Sequence, residues 1–89
     1  PRYWATDHPR NEVDFIIQRD NEIIPVEVKS ENNVESRSLK QYKEKYGDKV
    51  SIRVRLSLKN LKFDGDLLNI PLFMADHADR LIGIAKELL

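Results

Sequence analysis

The residues whose types and spacing could do chemistry are Asp14 and the tripeptide Glu27-Val28-Lys29. Both lie in runs that alternate as strands do. Val13, Phe15 and Ile17 fall on one face of an extended segment, and Glu12, Asp14 and Ile16 on the other. Ile24, Val26 and Val28 alternate in the same way with Pro25, Glu27 and Lys29, and Arg19-Asp20-Asn21 between the two runs reads as a hairpin turn. A turn centred between Asp20 and Asn21 sets Asp14 opposite Glu27 and Glu12 opposite Lys29. Opposed positions lie about 4.5–5.5 Å apart at Cβ, and two carboxylates that close repel each other unless something compensates. A divalent cation is the obvious compensator. Hard oxygen ligands suit magnesium or manganese, which keep waters and so leave room for a phosphate. Lys29, on the face of Glu27, can stand as a point cation beside a metal-bound water or a developing phosphorane charge. The plainer reading is a surface Glu12–Lys29 ion pair, worth at most about 1 kcal/mol, with Asp14 hydrated. Against it stands the apolar setting of Phe15-Ile16-Ile17, Ile23-Ile24, Val26 and Val28, where half-buried charges need partners.

The distribution of charge fits such a site. The net charge is zero, yet residues 1–36 carry −4, residues 37–62 carry +7 and residues 63–89 carry −3. An acidic first third beside a basic middle could be a metal site next to a phosphate-binding surface, and from charge alone a solvated helix and strand face is the favoured reading. With no cysteine, a disulfide scaffold and a cysteine-ligated zinc or iron–sulfur site are excluded. No apolar run approaches the roughly 18 residues of a membrane span and no signal-peptide pattern opens the chain, so a soluble, cytoplasmic protein with no membrane partner is expected. His8 and His77 have no partner at metal spacing and read as surface residues. No serine has the histidine and acid of a hydrolase triad, and no glycine-rich loop offers a place for ATP. Tyr3-Trp4 could stack on a base, but an aromatic pair on a first strand is more often core or interface.

The elements that must position these residues are legible from the periodicities. Arg2 to Thr6 can be a strand and residues 7–11 a loop. From Ser36 to Tyr46 the period becomes helical, with Leu39, Tyr42 and Tyr46 as the apolar stripe and Arg37, Lys40, Gln41 and Glu44 facing away. Ser36 is the expected cap and Gly47 the expected stop. Val50, Ile52, Val54 and Leu56 alternate with Ser51, Arg53, Arg55 and Ser57, so a further strand carries two arginines on its polar face. Strand, helix and strand in succession imply a crossover between parallel strands. Asp64-Gly65-Asp66 is a turn, Ile70 to Met74 a short edge strand, and Asp76 the cap of a last helix whose apolar face holds Ala78, Leu81, Ile82, Ala85 and Leu89. The expected architecture is a single α/β domain over residues 1–89, a mixed β-sheet with flanking helices.

Asp14, a twelve-residue interval and Glu27-Val28-Lys29, on consecutive antiparallel strands followed by a helix and another strand, resemble the PD-(D/E)XK nuclease superfamily. The runs Glu-Val-Asp-Phe-Ile-Ile (12–17), Ile-Pro-Val-Glu-Val-Lys-Ser (24–30), Ser-Leu-Lys-Gln-Tyr (38–42) and Ile-Pro-Leu-Phe (70–73) resemble, more narrowly, the uncharacterised C-terminal domain that ends many prokaryotic AAA+-type ATPases. The resemblance implies a restriction-endonuclease-like core (β-β-β-α-β) without the superfamily's N-terminal helix. It implies that Asp14, Glu27 and the Val28 backbone carbonyl bind magnesium or manganese and that Lys29 completes the catalytic set; Glu12 could substitute geometrically for the acid that the missing helix commonly supplies. The implied reaction is hydrolysis of a DNA phosphodiester by metal-activated water. Arg37, Lys40, Arg53 and Arg55 become candidates for phosphate contacts. Val13 stands where the superfamily often has proline, and Ser38 where some relatives carry a glutamine four residues before the tyrosine, here Tyr42. A chain opening on proline reads as a fragment, with an ATPase region of the parent chain as partner. The alternative is a module without turnover that serves nucleic-acid binding, docking or homodimerisation.

Overall fold

A computed structural model describes the backbone of residues 2–5 and all of residues 13–29 and 37–89. Glu12, His8, the Ser36 cap and the Tyr3 and Trp4 side chains lie outside what is described. Alternation produces strands β1 (Arg2–Ala5), β2 (Phe15–Arg19) and β3 (Glu22–Lys29). The β2–β3 hairpin turns where expected, with Asp20 in the left-handed region at φ 55°, and its pairs run from Arg19↔Glu22 to Phe15↔Val26. That is the register predicted from the turn. Helix α1 (Arg37–Tyr46) follows and ends at Gly47, whose φ of 46° suits a residue without a Cβ. A single 3₁₀ turn, Gly47–Lys49, leads to β4 (Arg53–Ser57), which pairs in parallel with β3 as the strand–helix–strand pattern implied. Pro25 has no N–H to donate, and the β3–β4 ladder begins just after it, at Val26↔Val54.

Two sequence expectations are corrected in the last third. The residues before the Asp64-Gly65-Asp66 turn form a short strand, β5 (Lys62–Asp64), and those after it form β6 (Leu67–Pro71). The expected edge strand at Ile70–Met74 is therefore shifted, and it is interior. The sheet order is β1-β2-β3-β4-β6-β5, with β6 parallel to β4 and antiparallel to β5. Pro71 ends β6, where its missing N–H interrupts no further ladder. Leu72–His77 then form a 3₁₀ segment, so Asp76 does not cap the last helix. Helix α2 (Ala78–Glu87) starts after His77, which makes no side-chain cap bond.

The helices cover opposite faces of the sheet. Ile17, Ile24, Val26, Ile52, Val54, Leu68 and Ile70 pack with Ala78, Ile82 and Ala85 of α2. On the other face, Leu39 and Tyr42 of α1 pack with Val13 and Val50, flanked by Ile16, Ile23 and Leu67. Gln41 was expected to face outward from α1. It is half-buried, and its Oε1 is fully covered with no hydrogen-bond partner. The result is a mixed α/β sheet with flanking helices in which β3, β4 and β6 run parallel. Their carboxyl ends lie at one edge of the sheet, and in open α/β sheets ligands bind outside that edge.

Candidate metal and phosphate site

Glu27 is the centre of this edge. Strand alternation turns it to the α1 face, where β2 before it and α1 above it leave it 6% exposed. Its Oε1 is fully buried and accepts no hydrogen bond. Burial raises the carboxyl above its ordinary pKa. The Lys29 charge, a hydrogen bond from Ser38 of α1 and the Arg55 charge oppose the rise, and the neighbouring Asp14 charge adds to it. Asp14 and Lys29 are thus near enough for their charges to act on the Glu27 carboxyl. Serine 38 occupies the helix position at which a glutamine was sought, and its hydroxyl reaches the same carboxylate.

Asp14 lies one residue before β2. Main-chain pairing stops at Phe15↔Val26, and the Asp14 carboxylate takes the place of the next carbonyl: its Oδ2 accepts the Val28 N–H at 2.8 Å. Among the described residues no arginine pairs with it, and Asp14 is exposed. The bond fixes Asp14 against the strand that bears Glu27, on the Val28 backbone itself. Lys29 is half-buried at the end of β3, beside Ser57 of β4.

The basic residues divide into two groups. Arg53 is tied to Asp66, with Nη2 to Oδ1 at 2.7 Å and Nε to Oδ2 at 3.1 Å, and Lys43 reaches the same carboxylate. Burial works to raise the Asp66 carboxyl, but the hydrogen bonds and charges of Arg53 and Lys43 outweigh it and hold the group below its usual value. Arg55 instead lies directly beside Glu27 in the parallel ladder. Burial lowers its pKa, and the Glu27 charge counteracts this. Arg37 and Lys40 are exposed on α1.

Sequence reasoning missed Asn69. It is 3% exposed on β6, beside Arg55 in the ladder. Its Oδ1 accepts from Arg55 Nε at 2.9 Å and from Ser57 Oγ at 2.6 Å, while its Nδ2 donates to the carbonyls of Lys59 and Asn60 at 3.1 and 2.9 Å. The available signal was a single polar residue in the run Leu67-Leu68-Asn69-Ile70, because a buried amide needs partners.

Among the described residues, no three His, Cys, Asp or Glu side chains gather into a metal-binding group. Asp14 and Glu27 are the pair that could hold a hard cation here, and the uncovered valence of Glu27 Oε1 suits one.

Fold and site together define a mixed α/β domain with a buried acid, a second acid and two cations at the carboxyl ends of parallel strands. The chain belongs to the DUF4143 family, a domain of unknown function, and the match covers residues 1–73. Domains of this family are found in AAA-type ATPase contexts. No curated protein and no solved structure matches the chain. No helix among the described residues is long and apolar enough to cross a membrane.

Proposed function

We propose that this chain is a PD-(D/E)XK nuclease-like domain, joined to an AAA+-type ATPase, that hydrolyses a DNA phosphodiester with magnesium or manganese. The observation that carries the reading is the buried, partnerless Oε1 of Glu27 beside Asp14 and Lys29. A purely structural acid at 6% exposure would be expected to have both oxygens hydrogen-bonded, because an unsatisfied buried oxygen costs about 1–3 kcal/mol. A cation-binding acid keeps an oxygen in reserve. Asp14, Glu27 and the Val28 carbonyl would hold the ion. The Val28 N–H leaves β3 toward Asp14, and in an extended strand the carbonyl of a residue leaves by the same edge. When bound, the ion would lower the pKa of a water and polarise a phosphoryl oxygen. Lys29 would set an ammonium charge where negative charge develops on phosphorus. Arg55, held by Asn69, would keep a second positive charge next to Glu27.

A second reading, a nuclease-like module that binds or docks without turnover, is favoured by Arg55, since a guanidinium beside Glu27 can neutralise it in place of a metal. Plasmid nicking in manganese separates the two. We expect cleavage by the wild-type chain and a loss of at least about 100-fold in both Asp14→Ala and Lys29→Ala. Equal, metal-independent behaviour of all three proteins would leave only the binding module.

A further inference from the structure

The basic middle of the chain forms two cavities on the α1 side of the sheet, and they differ in how their charge is balanced. One, of about 380 Å³, is lined by Lys40, Lys43, Glu44, Arg53 and Asp66, so that Asp66 neutralises the cations that reach it. The other, of about 410 Å³, is lined by Arg55, Lys59, Asn60, Leu61, Lys62 and Asn69, with no carboxylate in its wall among the described residues. Lys59 and Lys62 are exposed, and among the described residues neither has a carboxylate within ion-pairing distance.

We infer that this second cavity is a phosphate-binding track that seats a nucleic-acid backbone next to Glu27. The inference rests on the reading that the substrate is a nucleic acid, and it assigns Lys59 and Lys62 to binding it. Asn69 builds the track. Its two N–H···O bonds pin the carbonyls of Lys59 and Asn60, and Ser57 Oγ accepts the Lys59 N–H at 3.1 Å. The backbone that carries Lys59 is therefore ordered before any ligand arrives, which reduces the entropic cost of binding. Lys62 pairs directly with Asn69 across β5 and β6, so Glu27, Arg55, Asn69 and Lys62 form one row across four adjacent strands. Three strand spacings of about 4.8 Å span about 14 Å. Lys59 and Lys62 have no ion-pairing carboxylate among the described residues, and a polyanion would supply the missing negative charge. Contacts to phosphate carry no sequence information, so a track that binds the backbone binds without sequence preference.

The test is fluorescence anisotropy of the chain with a labelled duplex and a labelled single strand of the same length, in EDTA, as salt is varied. Lys59→Ala/Lys62→Ala is expected to bind about tenfold more weakly at about 100 mM salt, with the slope of log K against log[salt] on the duplex reduced by about 1.8. Whichever probe the wild type binds more tightly identifies the form of the substrate. Lys45→Ala/Lys49→Ala removes the same charge outside both cavities and is expected to bind as wild type does. The track is refuted by a Lys59/Lys62 variant within twofold of wild type, by an equal loss in the Lys45/Lys49 control, or by a wild-type chain that binds neither probe. Because EDTA removes the metal, binding that survives beside a plasmid that is never cut would sink hydrolysis and leave the track standing.

Discussion

Glu27→Gln tests whether Glu27 is kept for function at a cost to the fold. The sign follows from the direction of its pKa. Burial raises the carboxyl even though Lys29, Ser38 and Arg55 all favour the charged form, so the summed environment disfavours the anion. Removing the charge should therefore stabilise the fold at neutral pH. Replacing poorly compensated buried charge is commonly neutral or stabilising, and we expect about 1 kcal/mol, or a Tm about 4–8 °C higher for a domain of this size. The pH dependence sharpens the test. An acid whose folded pKa lies above its unfolded value of about 4.3 binds more protons in the folded state across that interval, so wild-type stability falls as pH rises through it. The advantage of Glu27→Gln should be complete above the raised folded pKa and vanish as pH falls to the unfolded one. Manganese should reverse the order, because a ligand at 100 times its Kd stabilises the protein it binds by about 2.7 kcal/mol and the variant has lost a ligating oxygen. Urea denaturation at pH 4 and pH 7, with and without manganese, measures all of this. A variant less stable than wild type by 1 kcal/mol or more at pH 7 would refute the reasoning and make Glu27 a structural acid.

Two further predictions concern the frame around the site. Asp66→Ala should cost about 2 kcal/mol at pH 7, between the values for exposed and buried ion pairs, because it leaves Arg53 unpaired at 17% side-chain exposure. The Asp66 pKa is depressed, so this contribution is present above the unfolded pKa and lost as pH falls through the folded one; a urea-measured deficit that does not shrink at low pH would contradict it. Asn69→Ala removes four hydrogen bonds at a buried position and should cost about 3 kcal/mol. A loss below about 1 kcal/mol in urea would mean that the loop it pins is held by other contacts.

What could be read in the sequence depended on how local its cause was. The hairpin register was legible because a short turn and a period of two leave one pairing that buries Ile17, Ile24 and Val26 together. Glu27 and Lys29 share a side of the sheet by strand alternation alone. What the register did not reveal is that Asp14 lies outside the ladder and uses an oxygen as a surrogate carbonyl for Val28. The last third was harder, because a strand that holds Pro71 is expected at a sheet edge. Proline disrupts a ladder only where an N–H is needed, and at the end of β6 none is. Asp76 failed as a cap because the 3₁₀ segment beginning at Leu72 carries the chain past it before α2 starts.

Asn69 shows why the polar half of the site could not be read from the chain. Its four partners come from β4 and from the loop after it, so its role exists only once β6 lies parallel to β4 in the register that sets Arg55 beside Asn69. The same register decides which arginine is available to the site. Arg53 and Arg55 look equivalent in sequence, two residues apart on one strand face. Arg53 lies at the amino end of β4, where Asp66 of the turn before β6 captures it, whereas Arg55 lies at the middle of the strand beside Glu27. Charge counting gave both the same role. Parallel pairing gives one to the fold and the other to the site, and the proposed reaction needs the second in its place before any phosphate arrives.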